Sequence, residues 1–183
     1  KHVSATMIAE ALGLNDVVVR KDLASVSSSG RPKVGYVRSE LIRELEKFLG
    51  YDNSQDAVLV GAGKLGQALM AYSGFPQYGL NILAGFDSDP RLEGAEVAGK
   101  KILAMDKLPG LCRRVGVHIG IITVPGEHAE AVCEQLIDSV ILAVWNFANA
   151  HLSVPEGILV QNENMAVSLA LLSNHLKEVF STK

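Results

Sequence analysis

Three glycines in the segment VGAGKLG, Gly61, Gly63 and Gly66, keep GxGxxG spacing directly after the apolar residues 57–59 and at the start of the helix-forming QALMAYSGF. Glycines also mark ordinary turns, so the spacing alone says little; its place between a buried-type strand and a helix gives it chemical content. There the first glycine permits a tight turn, the second lets backbone approach a pyrophosphate, and the third lets helix pack on strand. The helix N-terminus then faces the negative charge. The whole turn, Gly61, Ala62, Gly63, Lys64, Leu65 and Gly66, is expected to hold the phosphates of a dinucleotide. Asp87 stands 21 positions after Gly66 at the end of the next apolar run, close to the ~20-residue spacing of an acid that binds adenosine ribose hydroxyls. Its carboxylate would repel a 2′-phosphate, which favours NAD(H) over NADP(H). Arg91 nearby is the counter-signal, and reads otherwise as a solvated charge.

These residues need a scaffold, and the rest of the chain supplies one. From Ala57 onward, strand-like runs (AVLV, NILAGF, KILAM, HIGIITV, SVILAVWNFA, GILV) alternate with helix-like segments. Continuous apolar strands between helices imply a parallel sheet covered on both faces, here a Rossmann-type doubly wound α/β fold over residues 57–163. In such a sheet the strand ends face the ligand crevice. Thr123, Val124 and Pro125 end the fourth strand, and Asn146, Phe147 and Ala148 end the next, so both groups are candidate ligand contacts. Glu127 and His128 open a helix, where Glu127 suits the helix dipole without a catalytic role. His118 reads as a core or strand-end histidine. The histidines are scattered without metal-ligand spacing, so no metal site is expected.

The 183 residues are 48% hydrophobic and 20% charged, a globular composition that excludes disordered and fibrous classes. No apolar run approaches the ~18 residues of a membrane span and no signal-peptide layout opens the chain, so the expected location is cytoplasmic, without a membrane partner. Cys112 and Cys133, each in a helix-like segment, read as reduced structural thiols. The net charge of −3 conceals an asymmetry. Residues 1–50 carry eight Lys and Arg against six Asp and Glu, a net +2, while the remainder carries nine against fourteen, a net −5. Arg20, Lys21, Arg31 and Lys33 meet only Asp22 between positions 20 and 33, a local basic cluster that suggests an anionic partner.

That cluster lies on a recognisable layout. SATMIAEAL predicts a short helix capped by Ser4 and stopped by Gly13, with Met7, Ile8 and Leu12 on one side. DVVVRKDLASV predicts a second helix capped by Asn15, with Val18 and Val19 toward a buried side and Arg20 and Lys21 away from it. Two short helices at a Gly-containing turn form a helix-turn-helix. SVSSSGRPKVGYV follows as a β-hairpin or wing, and RSELIRELEKFLG as a helix with Leu41, Ile42, Leu45, Phe48 and Leu49 at helical spacing. Residues 1–50 thus read as a winged-helix DNA-binding domain and residues 51–56 as a linker. The closing NMAVSLALLSNHLKEVF, within residues 164–183, is an amphipathic helix carrying Met165, Leu169, Leu172 and Leu176. About one helix follows Val160. The chain is therefore expected to bind its dinucleotide without consuming it.

VRKDL (19–23), VGY (34–36), VGAGKLG, FDSDP (86–90), IITVP (121–125) and NFA (146–148) together resemble the Rex family of bacterial redox-sensing transcriptional repressors, nearly end to end and in the family's order. The resemblance implies a homodimer whose C-terminal helix is swapped onto the partner subunit. It implies a palindromic double-stranded operator bound when NADH is low and released when NADH rises, NAD(H) being a regulatory ligand and the protein no enzyme. It places Arg20 and Lys21 at the major groove, with Arg31, Lys33 and Tyr36 contacting DNA from the wing. It also implies a helix ahead of the helix-turn-helix, upstream of Lys1. The chain departs from the family pattern in its SVSSSG stretch, in Asn149 where the family has proline, and in Asn164 where the family has an acid. An NAD-dependent oxidoreductase and a CoA-binding-type nucleotide module are the alternatives to a sensor.

Overall fold

The computed structural model describes residues 2–31, 34–51 and 54–181. The chain divides into two compact units, one of residues 1–54 with 76–79 and one of residues 55–75 with 80–183.

The first unit contains β1 (His2–Val3), α1 (Ala5–Leu12), α2 (Asp16–Val26), β2 (Tyr36–Val37) and α3 (Arg38–Phe48). Ser4 caps α1 by accepting from the Met7 N–H, Gly13 ends it in the left-handed conformation at φ 66°, and Asn15 caps α2 through the N–H groups of Val17 and Val18. Caps at both sides of the turn stop one helix and start the next within three residues. Asp16 ties the pair together, accepting from the Thr6 hydroxyl at 2.9 Å and from Arg20 at 2.7 Å. The small core is Ala5, Ala9, Val19, Leu23, Tyr36 and Leu41. Because α1 packs through its alanines, Met7 and Leu12 point outward and are exposed, contrary to the sequence expectation; Val18, Ile42, Phe48 and Leu49 are exposed as well. The expected hairpin is also different in kind. β2 pairs antiparallel with β1, Val3 opposite Tyr36, and among the described residues of the preceding segment Arg31 and Gly35 form a bridge. Gly35 is held at φ +80° with the Val3 carbonyl where a Cβ would sit, so glycine is required there. The serine stretch is a hydrogen-bonded strap: Ser27 and Ser29 hydroxyls lie 2.8 Å apart and Ser29 donates to Glu44 of α3 at 3.1 Å.

The second unit contains β3 (Gln55–Val60), α4 (Lys64–Ala71), β4 (Leu80–Asp87), β5 (Glu96–Val97), β6 (Lys100–Ala104), α5 (Leu108–Val115), β7 (Ile119–Ile122), α6 (Gly126–Asp138), β8 (Ala143–Asn146), β9 (Leu159–Asn162) and α7 (Met165–Ser181). The sheet order is β5-β6-β4-β3-β7-β8-β9, parallel apart from the short β5 edge hairpin. Strand order therefore reverses direction between β3 and β7, which creates a crevice at their carboxyl ends. Gln55 and Asp56, read from sequence as linker, open β3, and Asp56 accepts from Asn81 of β4 at 2.8 Å.

Alternation along β3 feeds two cores. Val58 and Val60 join Leu108, Cys112, Val132, Cys133 and Leu136 of α5 and α6, while Ala57 and Leu59 join Met70 of α4, Ile82, Ile102 and Ile121. A parallel strand buried on both faces needs this unbroken apolar run. Asn164 caps α7, its side chain accepting from Ala166 and Val167 N–H groups at 3.0 and 3.3 Å. Val167, Leu169, Leu172, Leu176 and Phe180 of α7 are all exposed. Among the described residues no helix is long and apolar enough to cross a membrane.

Cys112 and Cys133 are free and buried. Burial pushes both thiols up, helped at Cys133 by the carboxylates of Glu130 and Glu134. A raised pKa lowers the thiolate fraction that reacts. Neither thiol should react with Ellman's reagent at pH 7–8 in the native chain, and both should react in denaturant; rapid native reaction would show that α5 and α6 open.

Candidate nucleotide-binding site

The glycine turn lies at the crevice, and its three glycines do different things. Gly61 leaves β3 at φ +100°, donates to the Phe86 carbonyl at 2.8 Å, and passes so close to β7 that a Cβ would lie 2.8 Å from the Thr123 carbonyl carbon. Gly66 faces back on the turn, where a Cβ would run into the Gly61 carbonyl oxygen. Thr123 locks this contact from the other side, its hydroxyl donating to the Gly61 carbonyl at 2.7 Å. Gly63 has no such duty. Its φ of −72° suits any residue, it is exposed, and an added Cβ would meet no protein atom within 4 Å. The following helix, α4, starts without a side-chain cap, so its first N–H groups face outward beside Gly63.

Asp87 closes the other side. One carboxylate oxygen accepts from the Ala62 N–H at 2.7 Å and the other from the Asp89 N–H at 2.8 Å. The acid at the end of β4 is thus aimed at the glycine turn by two backbone donors. One turn further on, Asp89 accepts from the Arg91 N–H at 2.9 Å and from its guanidinium at 2.7–3.1 Å. Those hydrogen bonds from Arg91 hold the Asp89 carboxyl down at about 2.

A cavity of about 460 Å³ opens between these parts, within the range of small-molecule sites. Gly61, Gly63, Asp87, Thr123, Val124 and Pro125 line it, all of them anticipated from the sequence. Val60, Ser88, Met105 and four residues of α6, His128, Ala131, Val132 and Gln135, complete the lining. The α6 residues were not anticipated, although their i, i+3, i+4, i+7 spacing marks one helix face. Ala62 and Gly66 are buried inside the turn, while Lys64 and Leu65 are exposed on the first turn of α4, outside the lining.

Asn146, Phe147 and Ala148 do not reach this cavity. Asn146 is fully buried and its amide is used within the fold, donating to the Ala150 carbonyl and Asn162 and accepting from the Ala148 N–H. It braces the turn after β8. Phe147 packs against Trp145 at a ring distance of 4.8 Å, and Ala148 borders a separate polar cavity of about 300 Å³ with Asn149, Asn162 and Asn164. In the first unit Arg20, Lys21 and Arg31 are exposed. Lys33 lies outside the described residues. Tyr36, expected to contact DNA, is 8% exposed; its ring lies against Gly30 and is part of the small core.

Fold and site define a Rossmann-type nucleotide-binding domain in one chain with a helix-turn-helix unit. A family model described as a CoA binding domain matches residues 52–150. Redox-sensing transcriptional repressors Rex from Treponema denticola and Porphyromonas gingivalis are each 40% identical to the chain, over 94% and 98% of it and 82% of their own lengths; the one from Clostridioides difficile is 35% identical over 97% and 85%. The chain belongs to this Rex family of redox-sensing transcriptional repressors. Among solved structures it is similar to the Rex-family repressor RSP. The RSP complex with β-NAD+ and operator DNA superposes with a TM-score of 0.92 at 30% identity, covering all of this chain and 85% of that one. The RSP complex with β-NADH gives 0.87 over 86%.

The glycines make separable predictions. Gly66→Ala should cost about 1–3 kcal/mol in chemical denaturation, as backbone must shift, whereas Gly63→Ala should stay within about 0.5 kcal/mol. Equal losses would contradict the open surroundings of Gly63 and the close backbone contact of Gly66.

Proposed function

We propose that the chain is a homodimeric repressor that binds a palindromic operator and is released from it by NADH. The observation that carries the reading is Gly63. A glycine with neither a backbone nor a packing reason, beside uncapped helix N–H groups and opposite a carboxylate aimed by two N–H groups, fits a pyrophosphate and its adjoining ribose. Gly61, Gly63 and Gly66 form the phosphate turn, Asp87 takes the ribose hydroxyls, and Thr123, Val124 and Pro125 lie toward the nicotinamide. Coenzyme A, which carries a phosphate on its ribose, meets the Asp87 carboxylate at that corner and is disfavoured. Bound dinucleotide supplies a redox-dependent signal, and we assign no residue to its turnover.

The exposed apolar face of α7 (Leu169, Leu172, Leu176) is assigned to the partner subunit, so that two DNA-binding units face two half-sites. Arg20 and Lys21 of α2 read the major groove, with Arg31 and Lys33 beside phosphate. Arg20 must exchange Asp16 for DNA. NADH selects the dimer state in which the two units no longer match the half-sites. A protein with this role works at the chromosome, in the cytoplasm of a bacterium.

The test is operator binding at stepped NADH/NAD+ ratios, using a palindromic duplex that the chain itself selects from a random pool. Affinity should fall as the ratio rises at constant total dinucleotide. An unchanged affinity overturns the reading. Replacing Lys21 by Ala should weaken the duplex and lower its salt slope by about 1, with NADH affinity unaltered; loss of NADH binding as well would reassign α2.

A further inference from the structure

Arg91 is the cation nearest in sequence to the ribose-binding acid, yet it is not part of the cavity lining, which contains no Lys or Arg among the described residues. Its guanidinium is turned onto Asp89. Nε lies 2.9 and 3.1 Å from the two carboxylate oxygens and Nη2 lies 2.7 Å from one, while the Arg91 backbone N–H donates to the same carboxylate at 2.9 Å. The Asp89 N–H in turn donates to Asp87. Residues 87–91 therefore form one hydrogen-bonded turn in which Asp87 lines the cavity and Asp89, just outside the lining, holds the only arginine of the segment. A planar guanidinium suits a phosphate as well as a carboxylate, so what occupies it decides what the corner accepts.

We infer that Asp89 is a specificity-determining residue: by capturing Arg91 it withholds from a 2′-phosphate the cation that would otherwise bind it, and so excludes NADP(H) from the site. The inference rests on the dinucleotide reading above. The Arg91 side chain is 88% exposed, and a pair so exposed holds weakly by charge alone; the capture is geometric, two parallel hydrogen bonds set by the turn. Asp89 also adds a negative charge beside the one Asp87 already presents. Asp87 alone opposes the phosphate without preventing Arg91 from reaching it; Asp89 removes that route.

The experiment is a double-mutant cycle on the full chain, titrated with NADH and with NADPH by nicotinamide fluorescence. Asn at position 89 keeps the oxygen that accepts from the Arg91 N–H, so Asp89→Asn preserves the turn and loosens the ion pair. NADPH affinity relative to NADH should rise about fivefold to tenfold in Asp89→Asn. Arg91→Ala should leave that ratio unchanged in the otherwise unaltered chain and abolish the gain when combined with Asp89→Asn. An unchanged ratio in Asp89→Asn, or a loss of NADPH binding on Arg91→Ala in the unaltered chain, overturns the inference while leaving the dinucleotide reading intact. Failure of the unaltered chain to bind NADH overturns the reading itself, and the inference with it.

Discussion

The carbonyl of Gly61 lies where a side chain on Gly66 would be, and the Thr123 hydroxyl donates to that same carbonyl at 2.7 Å. This three-way contact joins the end of β3, the first turn of α4 and the end of β7, the strands between which the sheet changes direction. Backbone close to backbone leaves no volume for a Cβ, so two glycines are needed, and the hydroxyl of Thr123 satisfies an oxygen that the turn would otherwise bury unpaired. The nucleotide site proposed for the second unit depends on it. It holds Gly63 and the opening of α4 outward, and it sets the Ala62 N–H where Asp87 can accept from it.

Rigid placement at this corner suits a sensor. A ligand that is to shift a protein between states must bind those states unequally, and groups held by hydrogen bonds on both sides transmit a difference better than mobile ones. Asp87 is pinned by Ala62 and Asp89, and Arg91 is pinned by Asp89. In the first unit, Asp16 similarly ties α1 to α2 and occupies Arg20.

Much of this was legible in the sequence because short-range chemistry determines it. Ser4 and Asn15 before their helices and Gly13 between them act within a few residues of themselves, while GxGxxG after a strand and an acid 21 residues later carry a fixed spacing that is readable although Asp87 meets Ala62 across 25 positions. What the sequence hid depends on contacts made at a distance. Asn146 closes β8 and Thr123 follows β7, both at strand ends, but the Asn146 amide is used by residues up to 16 positions away. Tyr36 follows two basic positions and looks like part of a DNA surface, yet β1 draws it into the core. Met7 and Leu12 form an apolar stripe that loses the core to the smaller Ala5 and Ala9. The α6 stripe of His128, Ala131, Val132 and Gln135 has helical spacing, but its smaller and polar residues do not register as an apolar periodicity.

Dinucleotide and operator are proposed to compete through one equilibrium of the dimer. Thermodynamic linkage makes that coupling reciprocal. The most direct measurement is the NADH dissociation constant of the chain with and without saturating operator duplex, alongside the duplex affinity with and without saturating NADH. The account predicts that each ligand weakens the other by the same factor, within the ~5 to 150-fold range usual for allosteric pairs; an NADH affinity indifferent to the duplex would contradict it.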